Sequence, residues 1–268
     1  MAMLDGAKSV ADAFFDELRA TVEIRKSYSD IIVLNAPMLF AAFQHDAKLK
    51  ERLKEALKFK TTDQSALLRG LFVQSIGVFE EFVRRLVTLV LEERVKGSRK
   101  YSELNDQLKN GFISHSGRVL THYGSGSVNG VRYDFSKLTL SLAGCLSDAQ
   151  PYSLDPRVFT ILMGNCTPDR LAKLFEIIGL PDPFSSALGE CSELKNAMGE
   201  TRKAQVAKMA EERLAKLVAL RNDIAHGDLT TSISADEFKE HINFLSALTS
   251  ALKELCEKPP RDGETPGK

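Results

Sequence analysis

Tryptophan is absent from this 268-residue chain, no Cys-x-x-Cys pair occurs, and neither sign of charge is in excess. Lys plus Arg and Asp plus Glu both total 36, which gives a formal net charge of zero and a pI near 7.0. A protein that coats nucleic acid nonspecifically carries a clear basic excess. Any nucleic-acid contact here is therefore expected to be local and brief. The four cysteines, Cys145, Cys166, Cys191 and Cys256, stand far apart. Scattered thiols, with no charged-then-apolar leader ahead of them, read as a reduced cytoplasmic protein. The most apolar run, Leu86–Leu91, lies between Arg84-Arg85 and Glu92-Glu93-Arg94. It is far shorter than the roughly 20 residues a membrane span needs, so no membrane partner is expected. No β-alternating segment of useful length is found, and no internal repeat.

Helical periodicity is what the chain has in quantity. A first helix is expected over about residues 3–30, with Val10, Phe14, Leu18, Val22 and Arg25 on one face. A second should open near Pro37 and run to about Phe59. A third, over about 63–96 with Thr62 or Asp63 as cap, carries Leu68, Phe72, Ile76, Phe79, Val83, Leu86 and Val90 as one continuous stripe. Such a long stripe marks the spine of a bundle.

Residues 97–199 differ, with shorter helical patterns, more turn residues and most of the prolines. Gly124–Gly130 reads as a flexible turn, and Thr167-Pro168 opens a helix that stops at Gly179. The region is expected to be a helical subdomain inserted into the bundle. From about residue 200 a long helix resumes and ends at His226, stopped by Gly227. Ser234-Ala-Asp-Glu237 is a capping box that opens a last helix to about Cys256. The tail 258–268 is too polar and proline-rich to fold. The expectation is an all-α protein, a single helical domain over 1–257 with 97–199 inserted, followed by a disordered tail.

The chemistry concentrates at one helix end, Leu217-Val-Ala-Leu-Arg-Asn-Asp-Ile-Ala-His-Gly227. Val206, Ala210, Leu214 and Leu217 form an apolar stripe, and Arg221 takes its next position, ahead of Ile224. A guanidinium on an apolar face has to be paired or to sit in a cleft, because an unpaired buried charge costs several kcal/mol. Asn222 and His226 are four residues apart and share one side of the helix. A fixed cation, an amide and an imidazole together suit phosphoryl chemistry. Arginine grips a phosphate bidentately, asparagine orients it, and histidine moves a proton near neutral pH. A structural ion pair for Arg221 and a helix-capping role for His226 are the plainer reading of the same residues.

Arg221-Asn-Asp-Ile-Ala-His226 resembles the arginine-to-histidine signature of HEPN domains, with the polar residue they often carry directly after the arginine. The surrounding residues resemble the RiboL-PSP branch of that superfamily, and so does Gly164-Asn-Cys-Thr-Pro-Asp-Arg-Leu171. The resemblance implies a HEPN-like helical bundle that forms a homodimer, with two motifs facing one cleft. It further implies a metal-independent endoribonuclease with no cofactor and RNA as substrate, of the kind found as toxins and antiviral defence effectors restrained by an antitoxin or regulatory protein. On that basis His226 is the acid/base for attack by the RNA 2′-hydroxyl, Arg221 stabilises the pentacoordinate phosphate and Asn222 positions it. The chain departs from the pattern at Asp228, where many nuclease members carry tyrosine. The alternative is a non-catalytic HEPN-like module that binds a protein or a nucleotide.

Other residues are weighed beside these. Glu80 flanks the apolar stripe of the third helix and is the candidate partner of Arg221; a solvated carboxylate is the competing reading. Arg94, Lys96, Arg99 and Lys100 form the densest basic patch, readable as a grip on an RNA backbone or as a solvated helix end complementing the dipole. His115 and His122 lack a cysteine or carboxylate at ligand spacing, so no metal site is expected. His45 and His241 read as ordinary surface residues.

Overall fold

The computed structural model describes residues 2–42, 46–61, 65–185, 187–228 and 230–257, apart from the side chains of residues 2, 29, 32, 33, 56–61 and 65. The expected caps Thr62 and Asp63, the surface residue His45 and the tail 258–268 lie outside them. The chain is all-α in class: α1 (Ala2–Ala42), α2 (Ala47–Thr61), α3 (Ser65–Lys96), α4 (Asp106–Leu120), α5 (Phe135–Leu146), α6 (Arg157–Thr160), α7 (Pro168–Ile177), α8 (Ser192–Met198), α9 (Lys203–Ala225) and α10 (Ala235–Glu257). Its only strands among the described residues are β1 (Ser127–Val128) and β2 (Val131–Arg132), an antiparallel pair. No helix among those residues is long and apolar enough to cross a membrane.

The spine is α3, which packs against α1, α9 and α10. Its seven stripe residues, Leu68 to Val90, are all buried, as their three- and four-residue steps require. Asn105 and Asp134 cap α4 and α5 by accepting from the Leu108 and Lys137 amides at 2.7 and 2.9 Å. The Ser234/Glu237 box opens α10: the Glu237 carboxylate accepts from the Ser234 amide at 2.8 Å, and Ser234 Oγ accepts from the Glu237 amide at 3.2 Å.

Several expectations need correction. The buried face of α1 is Leu4, Ala7, Ala11, Phe15, Leu18 and Val22, while Val10 and Phe14 lie exposed. Two small residues, Ala7 and Ala11, share this face with Phe15, Leu18 and Val22 where α1 packs on α3 and α10, so residue size alone does not mark it. Pro37 does not open a second helix but lies inside α1. Ala36 next to it is buried, and α1 packs against α2. Around it Ile31, Leu34 and Met38 are exposed, so the helix runs through the proline along a largely solvent-facing stretch.

Residues 124–130 are not a simple turn. They hold the end of a short 3₁₀ turn and the β1 strand, and the tip residues Asn129 and Gly130 take positive φ values of 50 and 78°. Asn129 Nδ2 ties that tip to the Ile161 carbonyl at 2.8 Å. His241 is no surface residue either. It is half-buried, its ring lies 5.4 Å from that of Phe72, and its Nδ1 is buried with no hydrogen-bond partner among the described residues.

The packing can be checked at two places. Phe15→Ala should destabilise the fold by about 3–5 kcal/mol, and Phe14→Ala by less than about 1 kcal/mol, in urea unfolding. Equal losses would contradict a register of α1 that buries Phe15 and exposes Phe14. Burial, and then the nearby Arg213, hold the His241 imidazole below its ordinary pKa; burial and Arg118 do the same for His115. The folded protein therefore takes up these protons less readily than the unfolded chain, so stability is full above the ordinary histidine range and falls as pH drops through it. The urea midpoint should decline from about pH 7.5 to about pH 5.5, and His241→Phe should flatten part of that decline.

Candidate functional site

The site is built where α9 ends. Val206, Ala210, Leu214 and Leu217 are buried, and Arg221 follows them on the same face, half-buried. The helix closes with His226 as its C-cap and Gly227 at φ 96°. The Gly227 amide donates to the Ile224 carbonyl at 3.1 Å and the Asp228 amide to that of Asp223 at 3.0 Å, a Schellman closure that needs a glycine at the left-handed position. His226 is thereby held one turn beyond Asn222, with its ring exposed.

Arg221 finds its partners in the loop before α7. Its Nη1 donates to Asn165 Oδ1 at 3.0 Å and to Asn222 Oδ1 at 3.2 Å, and Asn165 Nδ2 donates to Asn222 Oδ1 at 2.8 Å. The three side chains form a closed ring of hydrogen bonds. Two amide oxygens, not a carboxylate, meet the guanidinium, so its positive charge is oriented without being neutralised.

The sequence pairs Glu80 with Arg221, and the structure corrects this. Glu80 is buried on α3, accepts from the Cys166 amide at 3.1 Å and lies 3.8 Å from Arg84. The Glu80 carboxylate reaches the loop backbone one residue from Asn165 and acts on Arg221 only through that loop. Arg170, on α7, secures the other side by donating to the Met163 and Asn165 carbonyls at 3.1 and 3.3 Å. Gly164 has φ 55°, and a Cβ there would stand 2.8 Å from Arg170 Nη1, so only glycine fits this turn. The Cys166 thiol is fully buried and its pKa is raised by desolvation and then by Glu80, which makes it a packing group rather than a nucleophile.

Asp228 is occupied locally. Its carboxylate accepts from the Thr230 amide and hydroxyl at 2.7 and 2.6 Å and from the Thr231 hydroxyl at 2.6 Å. These bonds, the Thr230 hydroxyl first, bring its pKa down to about 2. The residue that departs from the nuclease pattern therefore closes the turn after α9.

The basic patch is not brought to this site. Arg94 donates to the Gly179 carbonyl at 3.0 Å and is partly buried, so it fastens α3 to the end of α7. Lys96 pairs with Glu93 at 2.8 Å, while Arg99 and Lys100 are exposed. Neither reading of the patch suits Arg94. Among the described residues no group of three or more His, Cys, Asp or Glu could hold a metal ion.

Asn165, Arg170 and Arg84 are the residues that single-position reasoning missed. The usable signal was the Gly164–Leu171 segment as a whole, because its glycine, asparagine and arginine are the groups that build the turn.

This all-α bundle, with an arginine-to-histidine helix end set against a second polar loop, has the architecture of a HEPN domain. The chain belongs to the RiboL-PSP-HEPN family, which it matches over residues 47–258. That range takes in α3, the loop of Asn165 and the whole Arg221–His226 motif, and leaves α1 ahead of it. No curated protein and no solved structure matches the chain.

The site's scaffold gives a direct prediction. Glu80→Ala leaves the buried Cys166 amide without an acceptor and should lower stability by about 1–3 kcal/mol in denaturant unfolding. Glu80→Gln keeps an acceptor oxygen and should lose less. A neutral effect of the alanine variant would mean that Glu80 does not hold the loop.

Proposed function

We propose that this protein is a metal-independent endoribonuclease that works as a homodimer, with one domain over 1–257 and residues 97–199 as a helical insertion. The observation that carries the reading is the Arg221 guanidinium, held by two amide oxygens and left un-neutralised, at a helix end whose C-cap is the exposed His226. An enzyme acting on a phosphodiester needs a charge fixed in direction and free to meet a developing anion. Arg221 meets both requirements, and a structural ion pair would not.

In the reaction, a neutral imidazole takes the proton of the RNA 2′-hydroxyl, whose oxygen attacks phosphorus. The P–O5′ bond breaks and O5′ receives a proton from an imidazolium. The products are a 2′,3′-cyclic phosphate and a 5′-hydroxyl. One histidine serves both proton transfers only in turn, so two His226 copies across a C₂ axis supply base and acid together. Arg221 stabilises the charge on the pentacoordinate phosphate and Asn222 orients it. No step in this scheme requires a metal.

Family membership supports a cytoplasmic toxin or antiviral defence effector restrained by a partner protein. The zero net charge fits an enzyme that does not hold RNA indiscriminately.

The purified protein should cleave RNA in EDTA, leave cyclic phosphate ends and spare DNA, which has no 2′-hydroxyl. His226→Ala should lower cleavage by at least about 100-fold while keeping the dimer and the melting temperature within a few degrees. Light scattering that shows a monomer at micromolar concentration would remove the shared-cleft mechanism. Intact RNA across varied substrates, with wild type and His226→Ala equally tolerated on expression, would replace the enzyme with a binding module.

A further inference from the structure

The Arg221 guanidinium is used on one side only. Nη1 donates to Asn165 and Asn222. Nε is buried and has no hydrogen-bond partner among the described residues. A buried N–H left without an acceptor is costly, more so on a charged group. In the rigid plane of the guanidinium, Nε–H and one Nη2–H point in the same direction and form the edge that takes two oxygens of a phosphate or carboxylate. One edge of Arg221 is clamped through Nη1, and on the other the buried Nε is left without an acceptor among the described residues.

Asn165 fixes which edge is open. Its Oδ1 accepts from Arg221 while its Nδ2 donates to Asn222 Oδ1, so the amide cannot flip without losing both bonds. The same ring engages the Asn222 oxygen twice, from Arg221 Nη1 and from Asn165 Nδ2. The backbone around Asn165 is held by two charged side chains on different helices. Glu80 of α3 takes the Cys166 amide, and Arg170 of α7 takes the Met163 and Asn165 carbonyls. Arg84 lies 3.8 Å from Glu80, so that carboxylate has a cation of its own and does not neutralise Arg221.

The geometry points to Asn165 as the positioning residue of this site: it holds Arg221 so that Nε and Nη2 face two non-bridging oxygens of the scissile RNA phosphodiester. This assignment rests on the endoribonuclease reading for the identity of the anion. The orientation of Arg221 is a property of the free protein and can be measured without any cleavage.

The test uses the full-length protein labelled with ¹⁵N-arginine. The Nε–H signal of Arg221 is assigned by its loss in Arg221→Lys. In wild type that signal should be sharp and distinct from those of mobile surface arginines, and RNA carrying 2′-O-methyl groups, which cannot be cleaved, should shift it. Asn165→Ala should merge it with the mobile arginines and lower kcat about 100-fold with KM changed less than about 3-fold, as expected for a misplaced transition-state group. Asn165→Asp keeps an acceptor oxygen and should keep the signal distinct, while its carboxylate neutralises Arg221 and lowers kcat. Asn165→Leu, which removes the acceptor at similar size and should merge the signal, is the readable variant if the alanine form fails to fold.

An unchanged Arg221 signal in a folded Asn165→Ala protein overturns the assignment. So does a fall in melting temperature with signal and kcat both retained, which would make the residue merely structural. A signal that merges in Asn165→Ala, in a protein whose wild type cleaves no RNA, upholds the positioning role and counts only against the endoribonuclease reading.

Discussion

An arginine at a core position of a helix has to be supplied with oxygens, and much of the chemistry of this protein follows from how that is done. Arg221 continues the buried row Val206, Ala210, Leu214 and Leu217. A carboxylate would satisfy it and also cancel its charge. In this fold the oxygens come from two amides, one on the same helix and one on a loop 56 positions earlier in the chain. The cation is held in direction and keeps its charge, which is the state a phosphate-binding group needs.

That choice moves the burden to the loop. Asn165 is useful only if its backbone does not wander, and the two flanking contacts come from separate helices, α3 and α7. Glu80 is therefore buried although it neighbours Phe79, Phe82 and Val83 in the chain, because the loop amide of Cys166 ends on its carboxylate. The helices of 97–199 meet the bundle at more than one place, α8 on α9 and α10 and, on either side of this loop in the chain, α6 on α3 and α7 on α9. Disturbing that junction should reach Arg221 without touching it.

How much of this could be read from the sequence depended on whether the cause was local. The α3 stripe was legible because seven large side chains repeat at helical spacing and all are buried. The Ser234/Glu237 box and the Gly227 stop were legible because capping is settled within a few residues. The placement of Arg221 on a core face came from the same periodicity. Its partner did not. Glu80 reads as the partner because it flanks the apolar stripe of α3, while the actual acceptor, Asn165, is set by contact across the fold. The α1 face is legible at Leu18 and Val22, which are buried, and not at its start, where Ala7, Ala11 and Phe15 are buried and Val10 and Phe14 exposed. His241 is not legible as a half-buried residue because its contact with Phe72 comes from a neighbouring helix.

The central claim is that Arg221 works through a planar fork, clamped on one edge and open on the other. Arg221→Lys tests it most directly, because lysine keeps the charge and the long stem but has no second edge to present. RNA cleavage by this variant should fall by about 100-fold or more, in a protein whose dimer and unfolding midpoint stay close to wild type. Cleavage within a few-fold of wild type would mean that a point charge is sufficient, and would contradict a mechanism in which Asn165 and Asn222 aim the open guanidinium edge at the phosphate.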